Sequence, residues 1–343
     1  MILPTISVII PAYNEQANLT RLFTSLNRQL YPREKIEYLF IDDNSTDNSE
    51  KIAKEFGAKI INVETHDIEL NKGIGMYAAK HKYVYWLDAD MEIFGSDYWQ
   101  RLVLPLEENP QLMGSFTNEY SLSKDLPYES KSLLRYISYN PLQCDPVYQY
   151  FSESIDRCVI EKTDNYAICK FKSGRIPPCG RMMYRREKLL ETEVGKNKSF
   201  IDLESLEIVV RGGYKYFAYV PEAKIRHYHA LDLTQLITKR LRNLERDYLP
   251  NISHQKYYTW FNPSKSREIL KIIWWVIYAN LFFPALIKGV FLSIKHQDLA
   301  FLWEPIATIV TTDAILWGFV SKKTGRDLIS KMLKTLALKF WSQ

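Results

Sequence analysis

Three short apolar runs, each broken off by a polar cluster, constrain this chain more than any other feature of its sequence. Residues 6–10 (ISVII), 36–41 (IEYLFI) and 83–87 (YVYWL) are rich in β-branched and aromatic side chains and largely apolar on both faces, which is the pattern of strands buried in a sheet with both sides covered. They run into Pro11-Ala12-Tyr13-Asn14-Glu15, Asp42-Asp43-Asn44-Ser45 and Asp88-Ala89-Asp90. Helical periodicity lies between them. Leu19, Leu22, Phe23, Leu26 and Leu30 recur at spacings of three and four before Pro32, and residues 50–56 form a second helix that Gly57 stops. Residues 58–63 give a further strand, and more helices are expected over about 74–81 and from about Ser96. Such alternation defines an α/β sheet, whose ligands sit beyond the carboxyl ends of the strands. The three polar clusters should therefore converge on one crevice.

At 343 residues, 46% hydrophobic and 25% charged, the chain is neither disordered nor collagen-like and can bury a real core. Its net charge of +5 is unevenly spread: residues 1–229 hold 29 Lys and Arg against 32 Asp and Glu, and residues 230–343 hold 16 against 8. The basic residues of that last third flank apolar, Trp-rich runs, so an anionic membrane surface is the expected partner and nucleic acid is not. Cys144, Cys158, Cys169 and Cys179 are too far apart for paired zinc-ligand spacing, and no secretory signal opens the sequence, so reduced cytosolic thiols are expected.

Residues 120–180 are aromatic, polar and weakly periodic, and read as a long insertion. Residues 214–220 give a late strand ended by Pro221, and residues 233–248 a basic amphipathic helix carrying Arg240, Arg242 and Arg246, which either lies on a membrane or braces the site. Residues 272–287 carry no charge and, extended to Ile294, reach spanning length; residues 299–320, with Glu304 and Asp313, are the weaker candidate. Lys265, Arg267 and Lys271 before the pair and Lys322, Lys323 and Arg326 after it place both ends in the cytoplasm, as a hairpin or as a re-entrant or surface-lying element. Leu328, Ile329, Met332, Leu333, Leu336 and Phe340 share a face of a last helix, either interfacial or packed on a core. The expected domains are 1–229, a catalytic domain with a nucleotide-binding half over about 1–118 and an acceptor half over about 119–229; 230–262, a linker helix; and 263–343, a membrane-associated helical region.

Asp88 and Asp90 supply hard oxygen ligands suited to Mg²⁺ or Mn²⁺ bound together with a diphosphate, although an acidic turn after a strand is also a common solvated cap. In company with IPAYNE, IDDNSTD, NKG and a later IDLE, this order of motifs resembles the family 2 glycosyltransferases. The resemblance covers residues 5–118 well and 179–229 more loosely. It implies an α/β, GT-A Rossmann-like mixed sheet flanked by helices, followed here by C-terminal apolar helices. It further implies that Pro11, Ala12 and Tyr13 wall the nucleotide base, that Glu15 accepts from ribose hydroxyls, and that Asp43 bonds the base ring while Asp42 holds its loop. Asn71 and Lys72 fall in the NKG match, where Lys72 either neutralises phosphate or solvates a helix start. Asp90 is the direct metal contact by this resemblance, with Asp88 nearer the ribose or the metal's waters, and His227 completes the metal site or is a structural histidine, with His229 two residues on.

On the acceptor side the resemblance extends to residues 178–185, where Gly180 would let a sugar approach the backbone and Arg181 follows it. Phe200-Ile201-Asp202-Leu203-Glu204 resembles the acidic motif that supplies the catalytic base; Asp202 takes that role, Glu204 lies on the acceptor side, and Ile201 stands where many relatives carry glutamate. Asn243 replaces the tryptophan of the QxxRW motif of processive synthases, which argues against processivity. The implied activity is inverting transfer of a sugar from a nucleotide diphosphate donor, UDP-linked in the leading reading, to a lipid-linked or polysaccharide acceptor at the cytoplasmic membrane face. One carboxylate base suffices there, because a metal takes the leaving charge. Nucleotidyl transfer lacks its glycine-rich triphosphate loop in this sequence. A catalytically inactive nucleotide-sugar-binding scaffold subunit is the reading from a different class.

Overall fold

The computed structural model describes residues 3–121, 131–139, 153–177, 179, 181–196, 200, 202–230, 232–245, 249 and 264–341. Its strands are β1 (Ile6–Ala12), β2 (Ile36–Asp42), β3 (Lys59–Asn62), β4 (Tyr83–Trp86), β5 (Met91–Ile93), β6 (Gly114–Thr117), β7 (Val159–Lys162), β8 (Ala167–Lys170), β9 (Arg181–Arg185), β10 (Tyr216–Tyr219) and β11 (Ile225–His227). The helices of two turns or more are α1 (Gln16–Asn27), α2 (Ser49–Phe56), α3 (Ile68–Ala78), α4 (Tyr98–Glu108), α5 (Ser132–Tyr139), α6 (Asp202–Arg211), α7 (Leu233–Asn243), α8 (Ser266–Ala279), α9 (Phe282–His296), α10 (Glu304–Ser321) and α11 (Lys323–Trp341). They divide into two compact units, Met1–Ser121 with Glu153–Tyr228 and Leu122–Ser152 with His229–Gln343.

The first unit is built on a nine-stranded mixed sheet of order β3-β2-β1-β4-β9-β6-β10-β8-β7, with β11 and β5 as a separate two-stranded ribbon. β1 pairs parallel with both β2 and β4, and every residue of β1 is buried, as its unbroken apolar run requires. Leu19, Leu22, Phe23 and Leu26 form the buried stripe of α1. Leu30 lies beyond the end of that helix and is exposed, so it does not extend the stripe. α2 ends at Gly57, whose φ of 84° lies in the left-handed region.

α3 begins six residues before the expected start. The Asp67 side chain accepts from the Glu69 and Leu70 amides and nucleates the helix upstream of the Gly-Ile-Gly run. Asn71, Lys72 and Gly73 therefore lie within the helix and are buried, which overturns the reading of Lys72 as a solvated helix start. A Cβ on Gly75 would lie 2.3 Å from Ile9 Cγ2, so this glycine sets how closely α3 rests on β1. Of the 120–180 segment, β7 and β8 extend the edge of this sheet, whereas α5 belongs to the second unit. Burial raises the Cys158 thiol to about 11 and that of Cys169 to about 12, so neither is a reactive thiolate.

In the second unit Tyr136 and Ile137 of α5 share a core with Ala230, Leu236, Phe301 and Ala307. Arg135 makes a two-pronged pair with Asp298, at 2.7 and 2.8 Å. The uncharged run 272–287 is not one helix. It breaks between Ala279 and Phe282, and α8 and α9 meet at a bend of 72°. Pro284 has no amide hydrogen, and the first turn of α9 is the place where that costs nothing. Among the described residues, one single helix is long and apolar enough to cross a membrane by length and composition, Leu299–Ser321, with 56% of its apolar window buried inside the protein, and the bent α8–α9 pair passes the same test only when its two arms are taken together. α7 ends at Asn243, five residues short of the expected limit, with Arg240 buried; Arg246 lies outside the described residues.

Candidate active site

Because Ala12 is registered against Asp42, the chain leaves β1 and β2 side by side and the PAYNE and DDNS loops are neighbours. Hydrogen bonds staple them together. Asn14 sits at φ 55°, donates from its amide to Ser45 Oγ at 3.0 Å, and accepts from the Thr46 amide at 2.8 Å. The Glu15 amide donates to Ser49 Oγ at 2.8 Å, and its carboxylate accepts from Asn18 Nδ2 at 2.6 Å. Pro11 and Ala12 are buried, whereas Tyr13 is 54% exposed.

Asp43 is the tie between β2 and α3. Its buried carboxylate accepts from the amides of Thr65 (2.9 Å) and His66 (3.2 Å) and from Asn71 Nδ2 (3.1 Å). Thr65 Oγ1 in turn donates to Asn71 Oδ1 at 2.6 Å. Asp42, expected to hold its loop, accepts from the Ser45 amide at 3.2 Å, so loop-holding is shared between the two aspartates. A carboxylate offers about four acceptor directions, so Asp43 keeps capacity for a ligand donor. Lys72, next to Asn71 in α3, is buried with Nζ 3.4 Å from Glu69, and the Lys72 carbonyl accepts from the Trp86 indole at 3.1 Å.

β4 delivers Asp88 and Asp90. The Leu87 amide donates to the Ile9 carbonyl, a tight turn joins the Met91 amide to the Asp88 carbonyl, and the β5–β11 ribbon registers Met91 against His227. Asp90 Oδ1 lies 3.3 Å from His227 Nε2. On the other edge of that ring, Nδ1 is 3.4 Å from an Arg181 guanidinium nitrogen. Because a guanidinium only donates, that contact favours hydrogen on Nε2, facing Asp90, and an ion held by Nε2 would take that hydrogen's place. Asp90 and His227 belong to a group of side chains able to hold a metal ion. A carboxylate oxygen is a hard ligand suited to either Mg²⁺ or Mn²⁺. His229 is the first residue of the second unit and is described with it; its carbonyl accepts from Lys239 Nζ.

Tyr120 is a residue that the motifs did not single out. Its ring stacks on His227 with centroids 6.5 Å apart, the Arg181 guanidinium lies over it at 5.7 Å, and a β-bridge to Ile225 fixes its backbone. Burial raises the phenol pKa, Arg181 opposes that rise, and the negative charges of Asp88 and Asp90 add to it. The signal was present in the sequence: Asn118-Glu119-Tyr120 follows β6 as the other polar clusters follow β1, β2 and β4. Arg181, expected on the acceptor side, faces His227 and Tyr120.

Phe200 anchors the last motif. Its ring stacks on Trp86 with centroids 3.8 Å apart, and its amide donates to the Glu69 carbonyl at 2.9 Å. α6 opens two residues later at Asp202. The Asp202 side chain and residues Gly180 and Ile201 lie outside the described residues. Glu204, in the first turn of α6, is partly buried, and that burial raises its carboxyl pKa. Glu207 locks the helix by accepting from the Gly174 amide and from Arg211 Nε at 2.6 Å.

A mixed sheet with nucleotide-type loops at the ends of β1 and β2 and an acidic pair at the end of β4 defines a GT-A glycosyltransferase fold. Residues 7–189 match Glycosyl transferase family 2, and the chain belongs to that family. It is 40% identical over 90 residues to the 4,4'-diaponeurosporenoate glycosyltransferase of Staphylococcus haemolyticus, a match covering 26% of this chain and 23% of that protein. Over 79 residues it is 37% identical to glycosyltransferase AglE of Haloferax volcanii, covering 23% of this chain and 25% of that one. The chain thus spans about a quarter of the length of these relatives. Among solved structures it is similar to a mannosyltransferase of Pyrobaculum calidifontis in complex with GDP-Man and Mn²⁺, with a TM-score of 0.51 and 16% identity over 92% of this chain and 87% of that one.

Proposed function

We propose that this chain is an inverting, metal-dependent glycosyltransferase that moves a sugar from a nucleotide diphosphate donor to a lipid-linked or polysaccharide acceptor at the cytoplasmic face of a membrane. The observation that carries the reading is that the stapled loops after β1 and β2 and the Asp88–Asp90 turn after β4, with Asp90 beside His227 at the end of β11, follow the carboxyl ends of adjacent parallel strands of one unit. Tyr13, with Pro11 and Ala12 behind it, faces the base; Glu15 and Asp43 accept from ribose and base; Lys72 and Asn71 complete the floor. Asp90 and His227 hold the ion, with Asp88 beside them, and when bound it neutralises the leaving diphosphate.

Asp202 is the base that takes the acceptor hydroxyl proton, with Gly180 and Glu204 lining the acceptor side and Arg181 turned toward the metal ligands. The donor is a UDP-sugar in the leading reading. The GDP-Man of the mannosyltransferase of similar fold makes a GDP-sugar the alternative to be tested alongside it. The apolar tail favours a lipid-linked acceptor. Turnover and donor affinity of Asp202→Asn test the assignment: turnover falls by about 10³-fold or more while donor binding stays within a few-fold, the order expected on losing a general base together with proton placement. Unchanged turnover in Asp202→Asn would remove Asp202 as the base, whereas full functional complementation by Asp202→Asn from a parent chain without measurable turnover would favour the non-catalytic scaffold subunit.

A further inference from the structure

α9 is built inside out for a helix in water. Its inward face is Ala285, Gly289 and Ser293, and a Cβ on Gly289 would lie 2.5 Å from the Phe301 carbonyl oxygen. Its outward face is Phe283 (73% exposed), Ile287 (70%), Phe291 (64%) and Ile294 (74%). A water-facing helix turns its large apolar side chains inward; small residues inside and large apolar ones outside are the arrangement of helices packed in lipid. Trp274 and Ile277 continue the exposed surface onto α8.

We propose that the bent α8–α9 pair dips into one leaflet of an anionic bilayer without crossing it, and that the longer apolar helix α10 remains a packing core of its unit. This deepens the membrane part of the proposed function and rests on it. Geometry sets the depth. At about 1.5 Å per residue, arms of 14 and 15 residues are about 21 and 22 Å long, each shorter than the roughly 20 residues a straight span needs. Bent symmetrically by 72°, each arm slopes at about 36° and reaches about 12 Å, within the roughly 15 Å of one leaflet's hydrocarbon.

The apex suits that depth. Leu281 and Phe282 are exposed there, the Asn280 amide donates to Val276 O and the Leu281 amide to Tyr278 O, and Pro284 has no donor to satisfy. Polar backbone in hydrocarbon must be satisfied internally in this way. The open ends are cationic, with exposed Lys265, Arg267 and Lys271 at the start of α8 and Lys295 at the end of α9, which suits anionic headgroups at a single surface. α10 is occupied otherwise: its Glu304 accepts from Lys288 Nζ and from the Tyr136 hydroxyl, both at 2.5 Å, and Thr311 and Thr312 are fully buried.

Co-sedimentation of the full chain with phosphatidylcholine vesicles containing a quarter phosphatidylglycerol tests this without any sugar donor. Ile287→Asp with Phe291→Asp, both on an exposed face, should lower vesicle binding at least tenfold with an unchanged melting curve. The milder Ile287→Ser with Phe291→Ser should lower it less and serves if the charged pair unfolds. Trp317→Asp, on the exposed side of α10, should leave binding within twofold. Equal losses from Trp317→Asp would put α10 in lipid and overturn the one-leaflet arrangement alone. Absence of vesicle binding by the unmodified chain, or a lipid-free dimer that hides residues 287 and 291, would overturn the membrane reading as well, while leaving sugar transfer to be decided by its own assay.

Discussion

Phe200 lies flat on Trp86, at 3.8 Å between centroids and 14° between planes, and this contact ties the chain just before α6 to the strand that ends two residues before Asp88. The pair is buried. It couples the segment that carries the proposed base to the strand that carries the acidic pair, so a change in packing there should reach both.

Phe200→Ala should therefore cost about 3 kcal/mol of stability, the usual scale for emptying a buried aromatic site. Urea denaturation reads that loss, and kcat should fall more than donor KM changes. Phe200→Leu should restore part of both.

Gly75→Ala places a methyl 2.3 Å from Ile9 Cγ2 and should destabilise the unit by about 1–3 kcal/mol through forced displacement of α3 from β1. Ile9→Ala, which removes Cγ2, should make the double variant lose less than the sum of the two single losses. Additive losses in the double variant would mean that the contact is not the cause.

Asp43→Asn leaves a side chain with one acceptor oxygen where three donors converge. Charge-assisted bonds of this kind carry about 1.5–3 kcal/mol each, so donor affinity should fall by roughly ten- to a hundredfold as the Thr65–Asn71 turn loosens. Isothermal titration with the nucleotide alone measures it, and an unchanged affinity would remove Asp43 from the nucleotide site.

Burial raises the Glu204 carboxyl above its unfolded value, so the native state holds this proton more tightly than the unfolded chain does. Stability from this group is present below the ordinary glutamate range and is lost as pH rises through it toward the raised native value. Glu204→Gln should match the parent protein in melting temperature near pH 4 and exceed it at pH 7–8. The reverse ordering would contradict the assignment.

What the sequence made legible follows from what its residues do locally. The β1, β2 and β4 runs announce themselves because strands buried on both faces must be continuously apolar, and the loops after them inherit their place from the sheet. α3 was misplaced because its start depends on one capping aspartate, Asp67, rather than on apolar periodicity. The 272–287 run looked continuous because hydropathy does not register a bend, and Pro284 near a helix start is compatible with either reading. The polar Asn118-Glu119-Tyr120 cluster after β6 marks the place of Tyr120 locally, but its stack on His227 and the inward turn of Arg181 depend on contacts between residues distant in the chain, which no local pattern encodes.

The central claim, a nucleotide diphosphate held jointly by the loops and by an ion on Asp90 and His227, is tested most directly by thermal stabilisation of the detergent-solubilised full chain. UDP, GDP and their sugars are each added with and without Mn²⁺, and Asp90→Asn is measured beside the parent protein. The account predicts a shift with one nucleotide class that grows with Mn²⁺ and loses its metal-dependent part in Asp90→Asn. A shift of equal size without metal, or one that Asp90→Asn leaves intact, would contradict it.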